Sequence, residues 1–123
     1  MNTLMLTLLL VSADPGDLLR GAHAIAAEDA RVNHAAFIAT GSDRTALRYV
    51  RMRAVSALAM VDRPEVRAAL VAIVDRADDD VEVRAQALHA LAFLDLNLAR
   101  PRLERAARSG VPAMIAVAKI PRR

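Results

Sequence analysis

The stretch VRAQALHALAFL at residues 83–94 repeats the pattern of VRMRAVSALAMV at residues 50–61, and equivalent positions lie 33 residues apart. Both stretches carry apolar residues at i, i+4, i+7, i+8 and i+11, which lie on one side of an α-helix. Leu58 and Leu91 are equivalent members of this apolar stripe. A helix with such a stripe must bury it, and repeated helices bury it against one another. The repeat therefore predicts helix pairs that stack side by side.

The composition also favours an all-α domain. A chain of 123 residues has the usual size of one domain, and a hydrophobic content of 55% is enough for a buried core. Aromatic residues make up only 2%, while alanine, the best helix former, is abundant. The alternation of β-branched and aromatic residues that is typical of strands is never sustained.

The charge and cysteine content exclude several kinds of site. The chain carries 17 basic and 14 acidic residues, and its net charge of +3 is a weak argument for nucleic-acid binding. From Pro101 onward six basic residues accompany the single acid Glu104, so the C-terminal end is locally positive. The chain has no cysteine, which excludes a disulfide framework and a thiolate metal site.

Turn and cap signals predict one α-solenoid domain over residues 1–123, with about three and a half helix pairs. Gly41 predicts the end of one helix, and Pro64 predicts the first residue of another. The predicted units are clear repeats at 46–82 and 83–110, a weaker repeat at 17–45, an N-terminal helix at 3–12, and a truncated C-terminal repeat at 111–120.

The apolar run LMLTLLLV at residues 4–11 has two interpretations. It is either a buried helix of the stack, which favours a cytoplasmic protein, or the core of a secretory leader, which favours a secreted or periplasmic one. No basic residue precedes the run, and cleavage after Ala13 leaves a leader shorter than the usual ~15–30 residues. The run is also too short to span a membrane.

The two strong repeats resemble HEAT repeats, particularly the short HEAT-like variety found in phycobilisome-lyase-related proteins. The shared pattern is an aspartate-rich connector, then Val-Arg, two residues, Ala, two residues and Ala-Leu. The matching residues are Asp79, Asp80, Val83, Arg84, Ala87, Ala90 and Leu91, preceded by Val50, Arg51, Ala54, Ala57 and Leu58. The glycine that commonly follows Ala-Leu is replaced by Ala59 and Ala92. The resemblance implies a right-handed α-solenoid of the HEAT/armadillo type that binds other proteins, with a few members turned to enzymatic or nucleic-acid work.

Arg51 and Arg84 occupy equivalent positions and have two interpretations. They are either a ladder of binding residues or, as the resemblance implies, structural residues that tie connector aspartates to a helix start. Asp80 and Arg84 are spaced i, i+4 with the acid on the N-terminal side, which is the favourable order for an ion pair. The structural role is the stronger expectation.

A basic row is the main binding hypothesis. His34, Arg67 and Arg100 lie 33 residues apart on the second helix of each pair, and Arg105 extends them by a turn. Second helices usually line the concave face of a solenoid, where such a row would meet an acidic peptide or phosphate groups. The alternative, which is favoured, is an ordinary solvated polar face.

The last predicted helix is apolar on all sides, although a terminal repeat needs a polar outer face. Its apolar residues include Met114, Ile115, Val117 and Ile120. They are either buried in a way that the sequence does not reveal, or form an interaction patch for another protein or a second copy of the chain. We expect self-association through this end.

The sequence contains no recognisable catalytic motif, and no cofactor is expected. His23 and His89 occupy equivalent positions two repeats apart, too far to share one metal ion. The sequence therefore predicts a non-enzymatic scaffold or adaptor that binds another protein or peptide. The alternatives are a nucleic-acid- or phosphate-binding solenoid that uses the basic row and, last, an accessory protein of the lyase type.

Overall fold

The computed structural model describes residues 29–122 of the chain. Residues 29–32 are helical, six further helices follow, and this part of the chain contains no strand. The six helices are α1 (His34–Ser42), α2 (Arg48–Leu58), α3 (Pro64–Asp75), α4 (Val81–Leu94), α5 (Leu96–Ala107) and α6 (Pro112–Ala118). The helix at 3–12 and the first helix of the weaker repeat lie outside the described residues.

The helices are arranged in two layers. The first helices of the pairs, α2, α4 and α6, pack in sequence along one layer, and α1 packs against α3 in the other. The layers meet where α1 contacts α2, α3 contacts α4, and α5 contacts both α4 and α6. The prediction of an all-α solenoid is confirmed.

The equivalent leucines of the repeat lie in one continuous core. Leu58 and Leu91 are both completely buried, as are Leu70 and Ile73 on α3. The first position of the stripe differs, because Val83 is completely buried whereas Val50 is 47% exposed. In its layer α4 lies between α2 and α6, while within residues 29–122 α2 has only α4 beside it.

The helix starts follow local sequence signals. Helix α3 begins at Pro64, whose missing N–H costs nothing at that position. Asp80 precedes α4, and its Oδ1 accepts hydrogen bonds from the backbone N–H groups of Glu82 at 2.9 Å and Val83 at 3.1 Å. Asp95 both ends α4 and caps α5, where it accepts from the N–H of Leu98 at 3.1 Å. These residues define the starts of α3, α4 and α5 and the end of α4.

Gly41 has a different role from the predicted one. It is a buried residue inside α1, which continues to Ser42, and it does not end the helix. A Cβ atom at this position would lie 2.9 Å from Cγ2 of Val55, so only glycine allows α1 and α2 to approach this closely. The sequence signal for a helix end was correct to within two residues, but its physical cause is helix packing.

Candidate functional site: arginine–aspartate contacts between the repeats

The acidic connector at residues 76–80 is bound by three arginines, one for each of its aspartates. The pairs are Arg44 with Asp78, Arg48 with Asp80, and Arg51 with Asp79. Arg48 and Arg51 lie one turn apart on α2, and Arg44 lies in the turn that precedes this helix. The connector after α3 is thereby fastened to the first helix of the preceding pair.

The central contact is a buried ion pair between Arg51 and Asp79. Nη1 and Nη2 of Arg51 donate to the two carboxylate oxygens of Asp79, each at 2.8 Å, and both side chains are only 3% exposed. Nε of Arg51 donates to the carbonyl oxygen of Gly41 at 3.1 Å. One guanidinium therefore joins the end of α1, the body of α2 and the connector before α4.

This geometry changes the acidity of Asp79. The hydrogen bonds from Arg51 stabilise the carboxylate and lower the pKa of Asp79 to about 2, although burial alone acts in the opposite direction. The backbone N–H of Asp80 also donates to Oδ1 of Asp79, at 2.7 Å. Asp79 is therefore ionised at neutral pH, and its charge is fully compensated.

The predicted ion pair between Asp80 and Arg84 does not form. Oδ1 of Asp80 caps α4, and its Oδ2 accepts from Nε of Arg48 at 2.7 Å. Arg84 turns instead toward α3, where its Nε donates to the carbonyl oxygen of Val74 at 3.0 Å. The i, i+4 prediction was wrong because longer-range partners occupy both groups.

Arg84 makes only one of the three hydrogen bonds that its equivalent Arg51 makes. Nε of each arginine donates to a backbone carbonyl 10 residues earlier, at Gly41 for Arg51 and at Val74 for Arg84. The terminal nitrogens differ, because the sequence Arg-Ala-Asp-Asp-Asp of residues 76–80 becomes Ser-Gly-Val-Pro-Ala at 109–113. Within residues 29–122, Nη1 and Nη2 of Arg84 have no carboxylate partner.

Arg84 instead lines an open cleft of about 390 Å³, which we call the Arg84 cleft. It lies between the C-terminal parts of α3 and α5 and the starts of α4 and α6. Its lining includes Arg84, Arg102, Arg105, Asp75, Val111 and Met114. Arg102 donates to both oxygens of Asp75, at 3.0 and 2.8 Å, and this contact lowers the pKa of Asp75. Arg105 lies 3.7 Å from the same carboxylate. One acid thus faces three arginines.

The members of the basic row have acidic neighbours. His34 on α1 lies 3.4 Å from Glu65 at the start of α3. Arg67 on α3 contacts Asp62 and lies 3.9 Å from Asp95, the residue that caps α5. These contacts connect neighbouring second helices. The positive charge expected of the row is therefore partly neutralised at both of these positions.

The remaining members of the row lie in different surroundings. Arg105 belongs to the Arg84 cleft, where it approaches Asp75. Arg100 is exposed, and no acidic side chain of the described part of the chain lies within ion-pair distance of it. The use of the row in binding stays a prediction.

The predicted interaction patch on the last helix is smaller than expected. Met114 and Val117 are buried in the common core, so they are not available to a partner. Ile115 is half-buried, and Ile120 is exposed. The sequence does not reveal this difference, because α6 is short and packs against both α4 and α5.

No group of three or more His, Cys, Asp or Glu side chains within residues 29–122 is arranged to hold a metal ion. Over the same range, each helix is too short or too polar to span a membrane.

The sequence interpretation missed several residues that make these contacts. Arg44 and Arg48 were not singled out, and neither was Asp75 or Arg102. A signal for the first two was present, because Arg44, Arg48 and Arg51 are closely spaced and precede a run of three aspartates. No comparable signal joins Asp75 to Arg102, which lie 27 residues apart on different helices.

Comparison with known proteins finds one family. A family model described as HEAT repeats matches residues 36–118, a range that begins in α1 and ends at the last residue of α6. No curated protein and no solved structure matches the chain.

Proposed function

The chain belongs to the HEAT-repeat family, and on that premise we propose that it is a non-enzymatic scaffold that binds another protein. HEAT repeats generally act as protein-interaction scaffolds and are typically not enzymes. The observation that carries the proposal is the match over residues 36–118, which coincides with the two stacked helix layers. We also propose that residues 1–123 form one solenoid domain with the repeat boundaries given above.

The surface of the described helices supports a binding role. Several large apolar side chains are exposed, including Tyr49 on α2 and Phe93 on α4. Arg100 is an exposed cation on a second helix, where the basic row was expected. Aromatic and arginine side chains are enriched at protein interfaces, because they combine a large contact area with directional hydrogen bonds.

Nucleic-acid binding is the less favoured function. A phosphate-binding surface needs cations that are free to release counterions. His34, Arg67 and Arg105 each lie next to a carboxylate, which lowers the positive potential that the sequence predicts for the row. Both functions would use an arginine surface. They differ in their dependence on nucleic acid and on salt, so one experiment separates them.

The experiment uses the full chain, carrying an affinity tag, as bait in an extract of its native host. We expect a specific protein to be retained after nuclease treatment and after washing at about 0.5 M salt, since phosphate contacts weaken steeply with salt. Cross-links from that protein should map to the described helices. Retention that disappears with nuclease would support the nucleic-acid alternative, and the absence of any retained protein would contradict the scaffold proposal.

A further inference from the structure

We propose that the Arg84 cleft binds an aspartate-rich peptide segment of a partner protein, with Arg84 holding one carboxylate as Arg51 holds Asp79. This inference rests on the proposed scaffold function and names the chemistry of the partner. The site differs from the basic row, because its central residue lies on α4, a first helix.

The internal repeat supplies the first argument. Arg51 and Arg84 are equivalent residues, and the Nε atom of each is held by a carbonyl oxygen, at 3.1 and 3.0 Å. In Arg51 this leaves Nη1 and Nη2 directed at a carboxylate, which they bind at 2.8 Å. Arg84 is anchored in the same way, so its guanidinium is oriented before a ligand arrives. A pre-oriented fork loses little entropy when it binds a planar carboxylate.

The position that Asp79 fills for Arg51 is not filled by the chain for Arg84. The equivalent of Asp79 is Pro112, the first residue of α6, which has no acceptor in its side chain. Arg84 is only partly buried, and it lines a cleft of about 390 Å³ that is open to solvent. This volume is at the lower end of the roughly 300–1,000 Å³ that is usual for ligand sites.

The charges of the cleft favour an anion. Arg84, Arg102 and Arg105 outnumber Asp75, and both oxygens of Asp75 already accept hydrogen bonds from Arg102. The low pKa of Asp75 keeps it ionised at neutral pH, so the four groups have an excess of two positive charges. An incoming carboxylate therefore meets a positive site with directed donors, which favours acidic partners over neutral or basic ones.

The apolar part of the lining favours a peptide over a phosphate group. Val111 is the accessible one of the apolar lining residues, since Val74 and Met114 are buried in the core. The chain's own connector shows the matching pattern, because its three aspartates are followed directly by Val81. A peptide of this type places a carboxylate on Arg84 and an apolar side chain against Val111.

The test uses the full chain and a capped peptide with the sequence ADDDVEV, which copies residues 77–83. Binding is measured by calorimetry, with the shift of the Arg84 Nε–H resonance as a second readout. We expect a dissociation constant on the order of 0.1–1 mM, as befits one charged fork and a small apolar contact. The control peptide ANNNVEV should bind at least about tenfold more weakly, because it lacks the carboxylates.

Three variants locate the site. Arg84→Gln should weaken binding about tenfold or more, and Arg84→Lys should fall between it and the original chain, since lysine keeps the charge but lacks the fork. Arg53→Gln makes the same charge change at an exposed position of α2 outside the cleft, and binding should be unchanged. Thermal unfolding of each variant verifies that it is folded, and Arg84→Lys replaces Arg84→Gln if the latter is not.

Two results would overturn the inference. Equal weakening by Arg84→Gln and Arg53→Gln would show that the peptide responds only to net charge. Tighter, Arg84-dependent binding of inorganic phosphate or of an oligothymidylate would assign the cleft to phosphate groups. If the bait retains a protein equally with and without Arg84→Gln, the site is wrong and the scaffold function stands. If the peptide binds through Arg84 but no protein is retained, the site stands and the scaffold function fails.

Discussion

The connection between α2 and α4 and the connection between α4 and α6 are built on equivalent arginines but are completed differently. At the first, the chain supplies a carboxylate, and the Arg51–Asp79 pair is buried with each side chain 3% exposed. At the second, Arg84 keeps its backbone contact to Val74 but borders an open cleft. The same residue type therefore forms a buried ion pair in one repeat and is a partly exposed hydrogen-bond donor in the next.

An arginine that is repeated in the sequence therefore need not have the same role in each repeat. The role of each arginine depends on the connector that follows it, 28 residues later for Arg51. A connector with three aspartates neutralises the arginine, while one with Ser-Gly-Val-Pro-Ala leaves it free to act on something else.

The largest expected effect is the loss of stability when Arg51 is replaced, and the same replacement at Arg84 should cost much less. Arg51→Met leaves the buried carboxylate of Asp79 without its partner and should lower the free energy of unfolding by about 3–5 kcal/mol. Arg84→Met loses one hydrogen bond from a partly buried group, so its cost should be about 1.5 kcal/mol or less. Urea unfolding at neutral pH measures both. Equal losses would mean that the two connections are energetically alike.

The buried pair should be replaceable by apolar residues. In the double variant Arg51→Met with Asp79→Leu neither charge is left unpaired, so most of the loss caused by Arg51→Met should be recovered, on the order of 2–4 kcal/mol. Urea unfolding of the original chain, the two single variants and the double variant measures this recovery in the free energy of unfolding. If the double variant is no more stable than Arg51→Met, the contact of Arg51 with Gly41 matters more than the charge pair.

The same pair predicts a pH dependence of stability. The pKa of Asp79 falls from its ordinary 3.8 to about 2 in the folded chain, because Arg51 stabilises the carboxylate. Its contribution, on the order of 2 kcal/mol, is therefore complete above about pH 4–5 and is lost as the pH falls toward 2. Urea unfolding at about pH 6 and about pH 2.5 should show a smaller decrease for the double variant than for the original chain. Identical decreases would contradict the assignment to Asp79.

A smaller effect is expected where Asp80 caps α4. Asp80→Ala removes the acceptor of two backbone N–H groups and should cost about 1 kcal/mol. Asp80→Asn keeps a capping oxygen and should cost less than about half of that. Thermal unfolding distinguishes the two. A larger loss for Asp80→Asn would show that the charge contact with Arg48 outweighs the cap.

The smallest effect is expected at the exposed pair of Arg44 and Asp78. Both side chains are largely in water, where solvent screens the charges and offsets most of the attraction. Arg44→Ala should leave the thermal midpoint unchanged within error. A clear decrease would indicate that Arg44, Arg48 and Arg51 act as one cooperative network.

The fold was largely predictable from the sequence, because the apolar stripe is a local property of each helix. The start of α3 at Pro64 and the burial of Leu58 and Leu91 follow from spacing and cap signals alone. Gly41 is a position where local signals are insufficient. A glycine there predicts a helix end, but the structure requires glycine because Val55 approaches closely from another helix.

The candidate site was less predictable, because its contacts join distant residues. The i, i+4 rule paired Asp80 with Arg84, but Arg48 lies 32 residues before Asp80 and takes its place. Likewise, Met114 and Val117 belong to the core because α4 and α5 cover them. The sequence of this seven-residue helix does not predict that packing.

The helices, their apolar sides and the 33-residue step that stacks them follow from local sequence, since they depend on periodicity and on neighbours along the chain. The aspartate that each arginine contacts is instead a result of folding. Ion pairing requires atoms to come within a few ångströms, and residues far apart in sequence reach that distance only after the layers have packed. The difference between a buried Arg51 and an accessible Arg84 is therefore a property of the assembled helices.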